Sequence, residues 1–243
     1  MGLLDLPAPV FAWLDDYLGL LAAPAFRLVL WGVAAAVVSM LLYRAISPQG
    51  RISRAKAEAV QARRALDGYD GEFAGAWPLM RRSMGLAMRQ FGLVLWPAVA
   101  ASLPILCLIV WLSTAYGHAF PRPGAEVEVR TFPNQHSARL VSKEGAAPPV
   151  PRIQVDDGNG RTISDVVLQA PVSTVHKREW WNALIGNPAG YLPDASPVDR
   201  IEVDLPRREY HQLGPWWLRS WEALFFSALV IGSIALKVGL RIH

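Results

Sequence analysis

Three windows of this chain are apolar and nearly free of charge, and the stretches between them are polar, charged and rich in proline and glycine. Each window has roughly the 20 residues that a helix needs to cross a bilayer. The first falls within residues 25–45, with Arg27 near its start and the charge-free run Leu28 to Tyr43 behind it. The second, residues 91–117, holds no charged side chain but contains Pro97 and Pro104, which predict a tilted span kinked at a proline. The third, within residues 214–237, opens on Trp216, Trp217 and Trp221, the pattern of an aromatic belt, and ends on Lys237. Ahead of the first window, Pro9 to Leu21 predicts a short amphipathic helix lying in the interface, within a leading segment of residues 1–24.

Between the first two windows, residues 46–90 predict a helical hairpin. Ile46-Ser47-Pro48-Gln49-Gly50 reads as a turn, and from Arg51 a helix places Ala55, Ala59, Ala62 and Leu66 on one face. Asp67-Gly68-Tyr69-Asp70-Gly71 breaks it, and a second helix starting near Trp77-Pro78 runs into the second window. Residues 118–213 change period. Short alternating runs at Glu126–Thr131, Ala138–Ser142, Arg152–Val155, Thr162–Gln169, Val172–His176 and Arg200–Leu205 predict strands of a small antiparallel sandwich or partly open barrel. Asp157-Gly158-Asn159-Gly160 is the strongest turn signal, and it predicts a hairpin. Residues 238–243 form a tail.

Charge gives these elements a direction. Arg44, Arg51, Arg54, Lys56, Arg63, Arg64, Arg81, Arg82 and Arg89 outnumber the acids of the hairpin, so the positive-inside rule makes it cytoplasmic. The N-terminus and the β-rich segment then lie outside and the C-terminus inside. The expected fold is an α-helical membrane protein with three transmembrane helices and a cytoplasmic helical hairpin. A small all-β extracytoplasmic domain is inserted between its second and third spans. The net charge of +4 follows the same clusters, which more readily meet anionic lipid than nucleic acid, and no specific nucleic acid partner is expected. Met1 to Pro9 carries no basic n-region, so the first apolar helix is expected to stay as an anchor.

Catalytic patterns are not evident. Cys107 is the single cysteine, the histidines lack metal-ligand spacing, and neither a Gly-x-Ser-x-Gly elbow nor a phosphate-binding glycine loop occurs. The expectation is a non-enzyme with neither metal nor cofactor. Asp15-Asp16 and Asp156-Asp157 read as surface and turn acids.

Three groups invite a functional reading. Met80, Met84 and Met88 form a stripe with Phe91, and methionine adapts to varied apolar surfaces. The stripe either receives hydrophobic segments or packs against the first arm or the lipid interface. Arg27, Arg219 and Glu222 sit near the outer ends of spans, either anchoring the interface or lining a shallow polar groove with Ser39, Ser102, Ser113, Ser227 and Ser233. Arg219 and Glu222 are spaced to pair on one helix face. Trp180, Trp181 and Tyr191 cap the β core, rest on the membrane or form an outer partner patch.

An outer amphipathic helix, an inward span, a basic hairpin, an outward span and a third inward one resemble the YidC/Oxa superfamily of membrane-protein insertases. The nearest likeness is to three-span members such as the archaeal YidC-like proteins and the third subunit of the ER membrane protein complex. Pro9 to Leu21, Ala25 to Arg54, the hairpin to Met88 and the span from Phe91 carry the likeness. The β-rich insertion departs from it. The resemblance implies an insertase-like or chaperone-like protein of the bacterial inner membrane that takes hydrophobic client segments at Met80, Met84 and Met88. It implies contacts of Arg44, Arg81 and Arg82 with lipid, the ribosome or a cytoplasmic partner. The alternative is an accessory or scaffold subunit of a larger membrane complex, docking a partner through its β domain.

Overall fold

The computed structural model describes residues 2–122, 125–142, 151–157 and 161–240. Among these, three helices are long and apolar enough to cross a membrane, and a small β region forms two antiparallel sheets. The helices are α1 (Ala8–Gly19), α2 (Pro24–Ile46), α3 (Gln49–Asp67), α4 (Phe73–Tyr116) and α5 (Trp221–Leu240), with α2, α4 and α5 the long apolar ones. Two compact units result, one of residues 1–29 and 106–226, the other of residues 30–105 and 227–243.

The helix boundaries follow local chemistry. Pro24 opens α2, a first-turn position where its missing N–H has no helical acceptor to lose. Gly68 ends α3, its N–H returning to the Arg64 carbonyl at 3.1 Å. The Tyr69 ring then folds over Gly71 and Gly75, where any side chain would collide with it. α4 starts at Phe73, a turn earlier than the Trp77-Pro78 signal predicts, because Pro78 is tolerated early in the helix once the Gly75 and Ala76 amides bond to Glu72. α3 turns Ile52, Ala55, Ala59, Ala62 and Leu66 inward, which is the predicted face. An exposed Arg89–Glu58 pair at 3.4 Å bridges the two arms. Between the apolar helices, Ser39 donates to the Ala101 carbonyl at 3.0 Å, and Gly232 lies against Ala36, where a Cβ would stand 3.1 Å from the alanine methyl.

In the first unit all six predicted strands occur, with shifted ends: β1 (Val129–Phe132), β2 (Ser137–Ser142), β3 (Pro151–Asp156), β4 (Thr162–Val167), β5 (Thr174–His176) and β6 (Arg200–Val203). They form sheets of order β1-β6-β5 and β2-β3-β4. Alternation sets the core: Ile153 and Val155 of β3, Val175 of β5, and Ile201 and Val203 of β6 are sealed with Leu168, Leu192 and Val198, while Glu202 points out. Gly158, Asn159 and Gly160 lie outside the described residues. The strands on either side of them do pair as a hairpin, with Thr162 donating to the Asp156 carboxylate at 2.8 Å and the Arg161 amide to the Asp157 carboxylate at 2.9 Å. Both acids of that pair therefore serve the turn.

The third apolar helix corrects the sequence reading. α5 starts at Trp221, so Trp216, Trp217 and Arg219 precede it. Helical continuation is prevented because the backbone is already engaged: Gly214 takes a positive φ of 79°, the Tyr210 N–H donates to the Arg219 carbonyl at 2.9 Å, and Arg219 Nε donates to the Gly214 carbonyl at 2.9 Å. Arg219 consequently pairs with Glu209 at 3.4 Å rather than with Glu222, which stands in the first turn of α5 where its charge suits the helix dipole. Arg241 and His243 lie outside the described residues.

Candidate functional site

The methionines of α4 point away from its partner helix. Inward-turned positions of the hairpin arm are Ala76, Leu79, Ser83, Leu86 and Gln90, so Met80, Met84 and Met88 are displaced to the open side. They are 39, 67 and 63% exposed, and Phe73, Trp77 and Phe91 extend the same exposed row at helical spacing. The stripe thus lies on the exposed face of this arm. Arg81 and Arg82 flank it and are exposed, and Arg44 is exposed in the last turn of α2, where a cation favours the helix dipole. The result is an apolar strip bordered by cations, able to accept an extended or helical apolar segment and to hold nearby phosphate or carboxylate groups.

Arg27 stands in the first turn of α2, the start of the first apolar window. In the first unit it turns back onto α1: Nη1 donates to the Asp15 carboxylate at 2.7 Å and to the Asp15 carbonyl at 3.1 Å. The other Asp15 oxygen accepts the Tyr116 hydroxyl at 2.5 Å, and the guanidinium lies 5.6 Å from the centre of the Tyr116 ring. Tyr210 completes the set by donating to the Tyr116 carbonyl at 2.7 Å, and burial pushes its phenol up to about 12. Arg27, Asp15 and both tyrosines line a cavity of about 470 Å³ together with Arg208 and Glu209. Arg27 Nε is buried there with no hydrogen-bond partner. Asp15, read from sequence as a surface acid, is the centre of this network. The sequence gives only a weak signal for it, an acid in one apolar helix and a base at the start of the next, and Asp16 beside it carries the same signal.

Ser102 and Ser113 donate to their own helix at Val99 and Val110, at 2.7 and 2.8 Å, and Ser39 binds Ala101. Ser227 is exposed and Ser233 half-buried on α5.

Trp180 and Trp181 lie in a short 3-10 turn, Trp180–Ala183. Trp181 packs on the His176 ring at 4.9 Å, Tyr191 meets the other side of that environment at 5.8 Å, and the Tyr191 hydroxyl accepts the Asn187 N–H at 3.0 Å. Those two cap the sheet, whereas Trp180 is 88% exposed. The leading segment is tied to this loop, which no sequence pattern indicated: the Leu4 N–H donates to the Leu184 carbonyl at 2.9 Å, and the Gly186 N–H to the Asp5 carboxylate at 2.8 Å. No three His, Cys, Asp or Glu side chains gather as a metal site among the described residues.

The fold and these surfaces define a class: a mostly helical protein with three helices fit to cross a membrane and a small two-sheet β region. No family model matches the chain, and neither a curated protein nor a solved structure is detectably similar to it.

Proposed function

We propose that this protein is an insertase-like or chaperone-like protein of the bacterial inner membrane, with the α3–α4 hairpin in the cytoplasm and the β region outside. The exposed methionine face of α4 supports this reading most strongly. At 44 residues, α4 is about 66 Å long at the usual helical rise, more than twice the roughly 30 Å hydrocarbon thickness. Arg81, Arg82 and Arg89 fall in its first half and the charge-free run in its second, so the half bearing Met80, Met84 and Met88 stands in water or headgroups. An apolar row kept open there is matched by a hydrophobic segment awaiting entry to the bilayer. Methionine lets one surface fit many such segments, while Arg44, Arg81 and Arg82 hold lipid headgroups, a ribosome or another cytoplasmic partner. The work needs neither cofactor nor covalent step: it lowers the cost of moving polar flanks of a client past the interface.

The test compares Met84→Glu with Met84→Leu in an insertion assay using the reconstituted protein and a short hydrophobic reporter. A carboxylate in the apolar row is expected to lower the insertion rate about tenfold, the equivalent of about 1.4 kcal/mol, with leucine close to the parent. Equal rates for both variants would remove the client role of this face. The rival reading, a scaffold subunit docking a partner through the β region, draws on the exposed Trp180 and predicts that neither substitution matters.

A further inference from the structure

Two segments far apart in sequence are joined here into one apolar surface. α1 keeps Phe11 and Asp15 on its inner side, against Trp111 and Arg27, and leaves Val10, Trp13 and Tyr17 exposed on the other, with Leu6 just before the helix and Leu21 just after it exposed as well. Just ahead of α1, the bonds from Leu4 to Leu184 and from Gly186 to Asp5 fasten the chain to the loop that carries Trp180. Gly2 fits so closely there that a Cβ would stand 2.5 Å from the Gly186 nitrogen and the Leu184 carbonyl oxygen. Leu184 and Trp180 are both exposed beside this junction.

We infer that α1 and the Trp180 loop together form a lipid-docking surface that lies in the boundary between headgroups and acyl chains and holds the β region down on the membrane. The inference rests on the reading that α2 crosses the bilayer. Continuity names lipid as the occupant: α2 begins at Pro24, three residues beyond Leu21, and the exposed row passes directly into Phe26 on that helix. A chain about to enter hydrocarbon has lipid beside it at that point, and tryptophan suits a site with one apolar and one wet side. Charge further specifies the lipid. Residues 2–24 contain no lysine or arginine, Lys177 is paired with Asp199 at 2.8 Å, and the Arg178 guanidinium lies over the Tyr191 ring. Docking is therefore by apolar burial and does not need anionic headgroups.

The experiment uses the full chain carrying Cys107→Ser, with a nitroxide placed singly through Val38→Cys, Trp13→Cys, Trp180→Cys or Ile163→Cys, in nanodiscs of phosphatidylcholine alone. Relaxation by oxygen, which partitions into lipid, is compared with relaxation by a water-soluble nickel chelate. Positions 38, 13 and 180 are expected to favour oxygen severalfold, and position 163, on the open side of β4, to favour nickel. Adding Asp5→Ala is expected to shift position 180 toward nickel and leave position 38 unchanged. Nickel access at 180 with 38 in lipid overturns the docking surface alone, as does protection of 180 from both reagents, which marks a protein partner. Nickel access at 38 overturns the membrane reading itself.

Discussion

A guanidinium and a carboxylate withdrawn from water are tolerable only together, and Arg27 and Asp15 are 17 and 12% exposed at their side chains. Removing the acid strands the base. Asp15→Ala should lower the stability of this unit by about 3 kcal/mol, against about 1.5 kcal/mol for Tyr116→Phe, which loses one hydrogen bond to a charged group. Thermal unfolding of the purified protein, followed by the exposure of Cys107 to a thiol reagent, ranks the two. A separate residue carries a pH dependence. The His118 backbone pairs with that of Arg207 in an isolated antiparallel bridge, and burial first, then the Arg207 charge, hold its imidazole below the ordinary value of 6.5, with Glu222 and Asp204 opposing. The folded state thus prefers neutral His118, and the unfolded state binds a proton more readily. Stability from this group is present above pH 6.5 and declines as the pH falls through the lower folded value. Melting temperature measured from pH 7.5 down to 5 should drop more steeply in the parent than in His118→Gln.

At the scale of elements, close helix contact depends on small residues. Gly232 of α5 lies on the buried Ala36 of α2, so Gly232→Leu forces the helices apart and should cost about 1–3 kcal/mol. A disulfide-free cross-link between α2 and α5, or detergent melting, reads that loss. Elements whose burial repeats locally were the legible ones. Ile153 and Val155 alternate with Arg152 and Gln154, and Ala55, Ala59, Ala62 and Leu66 recur at helical spacing, so strands and hairpin arms are legible in the sequence. Elements set by distant partners were not. The start of α5 is decided by Tyr210 and Gly214 capturing the Arg219 backbone and side chain, and apolar tryptophans at 216 and 217 mimic a helix that never forms there. Asp5 and Gly186 are 181 residues apart, and a contact of that separation leaves no period to read. The methionine row was legible as a stripe, but its exposure was not: Leu79 and Leu86 offer a second apolar row on α4, and the period alone does not say which row is covered.

For the whole molecule, the account ties two different solvents to one chain. The proposed function requires α2, α4 and α5, each long and apolar enough to cross a membrane, to lie in hydrocarbon, and the methionine row of α4 to lie in water. Neither a metal nor a nucleotide is called upon, so insertion should proceed undiminished in chelator and without nucleoside triphosphate. The central claim is that the α4 row meets many apolar segments in turn. Site-specific photocrosslinking in cells, from a photoreactive residue at Met84 and separately at Trp181, tests it most directly. The account predicts a broad set of nascent or newly made membrane segments attached at Met84 and none selectively at Trp181. One discrete protein captured at Trp181 with Met84 silent would contradict it and make the chain a dedicated subunit of a membrane complex.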